Sequence, residues 1–487
     1  MSARKRKRSA EGTSARARHV GVLARDTIVA VSTAPGRGAI AVVRLSGTAA
    51  ERICRRVVSP GRGWPLVPRQ ATRCAIHACD DRHTPIDDGL VTVFPAPGSY
   101  TGETVVELGT HGGAYVPLAV CAALVEAGAR AARPGEFTER AVLNGKLDLL
   151  RAEAIADLIE ARSAAAHRMA LRQLSGALSA RLGALREAVL ELEALLAYEI
   201  DFPEEDAGQL PRARVTASSE AVVAQLDALL ATVPAAILGR EGATVVLAGP
   251  PNAGKSSLLN ALVGEARVIV SEAPGTTRDA VEVLVDHDPW PLLLVDTAGL
   301  RESADPLERL GVEVSERYLG RAHAVIACAE SVPGLAATAA AIATRTAAPI
   351  VGALTKRDLA PDSGVMVGAR ARSGAVQGLP FPVVAVSAVR GDGLEALRAQ
   401  VMAALAGPAG TPDPDTPMVT RARHRSALTT ARDEMLAFRK EWAAGALPAP
   451  VAATHVRAAR TALDELIGVV DVQDVFARVF STFCVGK

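Results

Sequence analysis

Apolar and polar positions change their rhythm along the chain, and each change marks a different kind of element. From Asp26 to about Asn144 the apolar residues come in short β-branched runs, "TIVAVST", "AIAVVRLSG" and "LVTVF", bounded by turns such as "APGRG" and "PAPGSYTGE". Runs of this kind between glycine and proline predict strands. "VPLAVCAALVEAGAR" predicts a helix, so residues 26–144 are expected to form an α+β domain. From about Gly145 the rhythm becomes helical. "LDLLRAEAIADLIEARSAAAHRMALRQLSGALSARLGALREAVLELEALLAYEI" repeats apolar residues at three- and four-residue steps with charges between them, the period of an amphipathic helix. "DFPEED" breaks the run, and a further helix is expected toward Leu238.

From Ala243 to about Ala406 strand-like and helix-like stretches alternate, which predicts an α/β sheet. "GPAGTPDPDTP" reads as a linker, and helical rhythm returns in "RARHRSALTTARDEMLAFRKEWAA" and "ATHVRAARTALDELIGVV". A helical bundle interrupted by an inserted α/β domain accounts for that return. The expected fold class is multidomain, α/β plus α. It comprises a segment 1–25, the α+β domain 26–144, a helical domain split between 145–241 and 412–487, and the α/β domain 242–408.

Composition adds little against this picture. The 487 residues suit about three domains of roughly 150 residues. Hydrophobic content is 49%, carried by alanine, valine and leucine because aromatic residues make up only 3%. A net charge of +1 sets up no overall field toward nucleic acid or membrane. Residues 1–25 depart from that balance, with Arg4, Lys5, Arg6, Lys7, Arg8, Arg16, Arg18 and Arg25 against Glu11. This segment reads as a solvated, disordered basic tail, with a nucleic-acid arm or targeting segment as alternatives, and it holds no stretch resembling a signal peptide. No uninterrupted apolar run of about 18 residues predicts a membrane span; the stretch after Tyr115 comes nearest, and Glu126 interrupts it. Cys54, Cys74, Cys79, Cys121, Cys328 and Cys484 are scattered without a secreted disulfide rhythm, which fits a reducing cytoplasm. Cys74, His77, Cys79 and His83 crowd together, but their spacing fits none of the usual zinc frames. Cys74 and Cys79 are expected on opposite faces of a strand.

The chemistry lies in the inserted domain. "GPPNAGKS" (Gly249–Ser256) matches G-x-x-x-x-G-K-[ST] in full, after the strand "ATVVLA" and before the helix "SLLNALVG", the setting that motif requires. Its backbone, from Asn252 through Ala253 and Gly254 to Ser257, is expected to curl around phosphate oxygens at a helix N-terminus. Lys255 would neutralise the β/γ-phosphates and the Ser256 hydroxyl would bind Mg²⁺. "GTTRD" (Gly275–Asp279) can supply a threonine to Mg²⁺, and "DTAG" (Asp296, Thr297, Ala298, Gly299) can sense metal and γ-phosphate. "TKRD" begins at Thr355 and Lys356, and its Asp358 can accept guanine N1–H and N2–H; "VSA", with Ser387 and Ala388, can place an amide on guanine O6. The ordered set predicts GTP. Two residues depart from common patterns. Thr355 stands where asparagine is usual, so guanine specificity is expected with altered affinity. Leu300 in "VDTAGLRES" stands where many GTPases have a water-orienting glutamine.

From about Asp26 to Lys487 the chain resembles the bacterial MnmE (TrmE) family of tRNA modification GTPases. The resemblance rests on "DTIVAVSTAPGRGAIAVVRLSG", "SYTGETVVELGTHGG", "ARPGEFTERAVLNGKLDLLRAEAIADLIEA", "GTTRD" with "DTAGLRE", and the terminal "FCVGK". It implies an N-terminal folate-binding and dimerisation domain, then a helical domain interrupted by a Ras-like P-loop G domain. It further implies a cytoplasmic homodimer that works with an FAD-dependent MnmG-type flavoprotein as an α2β2 heterotetramer, and no membrane. Together the partners would add an aminomethyl or carboxymethylaminomethyl group to C5 of the wobble uridine of certain tRNAs. The carbon would come from 5-formyltetrahydrofolate or another tetrahydrofolate one-carbon derivative.

The resemblance also implies how a leucine site hydrolyses GTP. K⁺ would take the place of an arginine finger, held by Asn252, Thr276 and the carbonyls of Ser271 and Ala273. Thr277 would join Ser256 on Mg²⁺. The loop Ser271, Glu272, Ala273, Pro274, Gly275 would border the nucleotide, with Pro274 stiffening it. Glu308, in "DPLERLG", would orient water through a second water. Arg44, Glu107, Lys146 and Lys487 would line the folate pocket, and Cys484 would have a role whose chemistry is open. The competing reading is a ribosome-assembly GTPase switch that binds rRNA. A KH-type RNA module would favour it, and none follows the α/β stretch.

Overall fold

The computed structural model describes residues 26–201, 212–264, 267–269, 281–296, 317–359, 379–410, 416–444 and 449–468, with Val479, Phe480, Phe483 and Gly486. Contacts divide the chain into two compact units, Met1–Ala156 with Ile467–Lys487, and Asp157–Leu466.

The first unit is built on a seven-stranded sheet. Its strands are β1 (Ile28–Val31), β2 (Ile40–Ser46), β3 (Val58–Pro60), β4 (Thr72–Ala78), β5 (Asp81–Phe94), β6 (Val105–His111) and β7 (Arg130–Ala131), in the order β3-β4-β5-β6-β2-β1-β7. All pairs are antiparallel except β1 with β7. Val43, Leu45, Ile76, Val91, Val106 and Leu108 are buried together with Ile53, Val120 and Leu124 of two covering helices. The longer of these, Val116–Glu126, stops short of the expected end at Arg130, because Gly128 takes the left-handed conformation (φ +112°) that ends helices. β5 runs well beyond the expected "LVTVF", and its ladder with β4 shifts register at Ile76–Ala78. An irregularity of this kind breaks the two-residue alternation. Cys79 consequently packs against the same core that buries Cys74, not the opposite face.

Charges tie this unit together below the sheet. Arg140 (4% exposed) donates to Asp26 Oδ1 at 2.7 Å, to Glu103 Oε2 at 3.1 Å and to Glu136 Oε1 at 3.2 Å. Glu136 (1% exposed) also accepts from Arg130 at 2.7 Å and from the Arg133 amide at 2.8 Å. Ser46 donates to Glu103 at 2.7 Å, which brings β2 into the same network. The far end of the chain returns here. Val479, Phe480 and Phe483 pack with Leu149, Ala152 and Ala156, and Ser32 Oγ donates to the Gly486 carbonyl at 2.9 Å. Gly135 permits the approach: a Cβ there would lie 2.9 Å from the Phe480 oxygen.

The second unit contains the other seven-stranded sheet: β8 (Ala243–Ala248), β9 (Arg267–Ile269), β10 (Val281–Asp286), β11 (Leu292–Asp296), β12 (Ala324–Ala329), β13 (Ile350–Leu354) and β14 (Val383–Ala385). Their order is β14-β13-β12-β8-β11-β10-β9, parallel from β14 to β11, with β10 antiparallel to both β11 and β9. β8 is buried on both faces, as central parallel strands are. Val245 and Leu247 join the core under helices Lys255–Gly264 and Leu394–Ala409, while Val246 and Ala248 join the one under Val332–Ala343.

The helical run expected from 147 to 200 is three helices, Leu149–Glu160, Ala164–Leu174 and Ala177–Asp201. Ser163 caps the second by accepting from the Ala166 amide at 3.1 Å, and Gly176 (φ +90°) precedes the third. By length and composition Arg212–Glu241 could cross a membrane, which the broken apolar pattern did not predict. It is two helices, Arg212–Leu230 and Val233–Glu241, and the first packs against Ala422–Ala444 while burying Val215, Val222 and Leu226.

Burial pushes the Glu136 carboxyl up, but hydrogen bonds from Arg130, the Arg133 amide and Arg140 outweigh it and hold its pKa at about 2, against 4.5 ordinarily. A folded pKa below the unfolded one stabilises the fold above that unfolded value. The contribution, about 3 kcal/mol, is therefore complete above about pH 5 and lost as pH falls toward 2. Denaturant titrations of the full chain between pH 6 and 2 should show that loss, and Glu136→Gln should flatten it while lowering stability at neutral pH.

Candidate functional site

The phosphate loop leaves the C-terminal end of β8, the strand at which the sheet order turns from one side to the other. In an open parallel sheet that crevice is where ligands bind. Gly249 lies against β12 so closely that a Cβ would sit 2.3 Å from the Cys328 carbonyl oxygen. Asn252 (φ +61°) and Gly254 (φ +79°) then take left-handed conformations, which turn the chain into helix Lys255–Gly264. Successive turns of this kind aim amides at a common point and form an anion-binding concavity. Lys255 is nearly buried and donates from Nζ to the carbonyls of Gly249 at 2.9 Å and Pro250 at 2.8 Å. Its cation is thereby held within the loop.

Two neighbouring strands bring their ends to the same loop. β11 ends at Asp296 (1% exposed), whose Oδ2 accepts from Ser256 Oγ at 2.5 Å. A hydroxyl and a carboxylate in contact are hard oxygen donors of the kind Mg²⁺ takes, so these residues fit that ion. β13 ends before Thr355 (4% exposed), whose hydroxyl lies 2.7 Å from the Ala253 carbonyl and 3.3 Å from that of Ala329. One hydroxyl carries one proton, and the shorter contact takes it. The residue in the usual asparagine position therefore ties the base-side motif to the phosphate loop.

The base-side motif is braced from two directions. Ser387, buried after β14, donates to Asp358 Oδ1 at 2.9 Å and receives the Arg390 amide at 3.2 Å. Lys356 (φ +54°) pairs with Glu330 beyond β12 at 2.6 Å. Glu330, Arg390 and Asp392, which accepts from the Ser387 amide at 3.0 Å, are additions that the motifs did not flag. Glu330 directly follows β12, and Arg390 and Asp392 lie in the turn after β14. Ser271, Glu272, Ala273, Pro274, Gly275, Thr276, Thr277, Thr297, Ala298, Gly299, Leu300 and Glu308 lie outside the described residues.

In the first unit Arg44 and Glu107 face one another across β2 and β6. Both Arg44 contacts, at 2.9 and 2.8 Å, go to Glu107 Oε1, which leaves Oε2 able to accept a further donor. The Arg44 guanidinium also lies 5.5 Å from the centroid of the Tyr100 ring and 5.8 Å from that of Phe137. Phe137 is fully buried, so the pair offers a ligand the half-buried Tyr100 ring and a spare carboxylate oxygen, which suit a flat heterocycle with a donor edge. Tyr100 and Phe137 were not singled out from the sequence, although both fall inside the stretches that carry the resemblance. Lys146 donates to the Pro97 carbonyl at 3.1 Å, at the start of the loop that holds Tyr100. Cys484 and Lys487 lie outside the described residues.

Comparison with known proteins covers both units. The family profile described as "GTP-binding protein TrmE N-terminus" matches residues 27–146, and that described as "MnmE helical domain" matches residues 149–484. A protein named tRNA modification GTPase MnmE from Azoarcus sp. (strain BH72) is 41% identical over 469 residues, covering 95% of this chain and 98% of its own. One of the same name from Laribacter hongkongensis (strain HLHK9) is 41% identical over 465 residues, covering 95% and 99%. Among solved structures, the G domain of the FeoB iron transporter of T. maritima is 29% identical, covers 33% of this chain and 98% of its own, and superposes with a TM-score of 0.26.

Thr355→Val keeps the shape of the side chain and removes the proton that the Ala253 carbonyl accepts. Leaving that buried carbonyl unpaired costs about 1–2 kcal/mol, so GDP should bind roughly 5–30-fold more weakly. Titration with a fluorescent GDP analogue measures this.

Proposed function

Because the chain belongs to the MnmE family of tRNA modification GTPases, we propose that it hydrolyses GTP to GDP and phosphate to drive modification of the wobble uridine of certain tRNAs. The observation that carries the reading is the convergence on one loop of Asp296 through Ser256, Thr355 through Ala253, and Lys255 through Gly249 and Pro250. Phosphoryl transfer needs positioning and charge neutralisation more than covalent chemistry, and this arrangement supplies both. Lys255 and the loop amides would hold the β/γ-phosphates. Asp358 would accept guanine N1–H and N2–H, with Ser387 keeping its carboxylate in place and the Ala388 amide reaching O6. Ser256 and Thr277 would hold Mg²⁺, which neutralises phosphate charge when bound.

The remaining parts follow the family resemblance. Asn252, Ser271, Ala273 and Thr276 would hold K⁺, whose charge replaces an arginine finger, a contribution of roughly 10³–10⁵ in rate among GTPases. Glu308 would orient the attacking water, which relieves Leu300 of that task. The site would be completed by pairing of G domains in a homodimer. Arg44, Glu107, Lys146 and Lys487 would bind the tetrahydrofolate derivative, a reading supported by the Tyr100 ring beside Arg44 and the spare Oε2 of Glu107. A flavoprotein of the MnmG type would join in an α2β2 complex, in the cytoplasm, to add the aminomethyl or carboxymethylaminomethyl group at C5, with a role for Cys484 whose chemistry is open.

Glu308→Ala should keep GTP affinity and lose most of the K⁺-stimulated hydrolysis, and Na⁺ should not substitute for K⁺ in the unaltered protein; phosphate-release assays in the two salts decide both points. Nucleoside analysis of total tRNA from cells lacking the protein should show the wobble uridine without its C5 group. Normal C5-modified uridine in those cells would exclude the proposed role.

A further inference from the structure

The hairpin of β10 and β11 has one end at the nucleotide site and the other held by helices outside the sheet. At the closed end, Trp290 is 1% exposed and donates its indole N–H to the Ala235 carbonyl at 3.2 Å. Trp290 shares a core with Ala235 and Leu238 of helix Val233–Glu241. Gly239 of that helix makes the seat: a Cβ there would lie 2.4 Å from Met169 Sδ and 3.9 Å from Trp290 Cδ1. Helix Ala164–Leu174 adds two more contacts. The Ala164 amide donates to Asp286 Oδ1 at 3.2 Å, and Arg168 pairs with Asp288.

At the open end, Val281 of β10 is opposite Asp296 of β11. Val281 follows "GTTRD" after a single residue, and Thr297–Gly299 follow Asp296 directly. Both segments proposed to respond to the γ-phosphate therefore join this end of the hairpin. The distance to the closed end is about 15 Å for a strand of this length. The two strands cannot slip past each other cheaply, because a one-residue shift would turn the buried Leu292 and Leu294 out of the core. A hairpin that cannot slip moves as one piece, so displacement at one end reaches the other.

We infer that the Trp290 turn is the contact through which the nucleotide site and the helices Ala164–Leu174 and Val233–Glu241 bias one another. Trp290 acts in this as a positioning residue. The inference rests on the proposed GTPase reading, because it needs the nucleotide to act on the segments beside Val281 and Asp296. Coupling between two sites is reciprocal: whatever bound nucleotide does to the helices, seating of the helices does to the preference between GTP and GDP.

The test is amide hydrogen exchange across Ala164–Leu174 in the full chain, bound to GDP or to a non-hydrolysable GTP analogue. Exchange in the unaltered protein should differ between the two states by about fivefold or more, the low end of ordinary inter-site coupling. Trp290→Phe combined with Asp288→Ala keeps a ring in the seat while removing the indole donor and the ion pair. It should reduce the difference severalfold and shift the ratio of the two nucleotide affinities by the same factor, the Ala164–Asp286 bond remaining. Exchange that ignores the nucleotide in the unaltered protein would overturn the inference. So would a difference, and an affinity ratio, left undiminished in the double variant. Neither readout depends on tRNA modification, so this inference and the proposed reaction fail separately.

Discussion

The nucleotide site depends on the phosphate loop being tied down on both flanks of β8. On one side Gly249 lies against the Cys328 carbonyl of β12, and Ala253 accepts from Thr355 beyond β13. On the other side Ser256 donates to Asp296 at the end of β11. A loop of backbone amides binds phosphate only if the amides are already aimed, and these ties fix its start, middle and end. The sheet makes them possible, because β8, β11, β12 and β13 run parallel and all end on one edge. At Thr355 the hydroxyl reaches the loop carbonyl of Ala253 at 2.7 Å, while the Ala329 carbonyl accepts the Thr355 amide at 2.9 Å.

The first unit solves a different problem with different means. Its apolar core lies under the sheet, but the elements around Asp26, Glu103 and helix Glu136–Leu143 meet through charges. Buried ions are costly unless each is paired and hydrogen-bonded. Arg140 meets three carboxylates, and Glu136 meets two arginines and an amide. Paired in this way, though with Arg140 Nε left without an acceptor, the network joins the strand, loop and helix that also carry Arg44, Tyr100 and Phe137. Phe480, Phe483 and Gly486 also return to this unit.

The parts that were legible in the sequence are those whose cause is local. Glycines at 249 and 254, a lysine and a serine between a strand and a helix announce a phosphate loop because only that backbone can make the turn. The short apolar runs of β8, β11 and β13 were readable because they are bounded by turn residues. Periodicity was less reliable wherever a single residue resets it. One helical rhythm from 147 to 200 hid breaks at Ser163 and Gly176, and a register shift at Ile76–Ala78 undid the alternation argument for Cys79. Arg212–Glu241 looked different again once its partner helix was known, because burial depends on a neighbour that hydropathy does not name.

The sequence by itself determined the phosphate loop between a strand and a helix, since it is written in adjacent residues with a fixed stereochemical demand. Tertiary structure alone decided the partners: Thr355 with Ala253, Arg140 with its three carboxylates, Trp290 with Ala235 and Arg44 with two aromatic rings. Apart from Glu136, one helical turn from Arg140, the members of these pairs lie tens of positions to about a hundred apart, and nothing in the local pattern names the other member. The physical reason is that periodicity tells which face of an element is apolar, whereas which groups meet across that face is settled by how the faces pack.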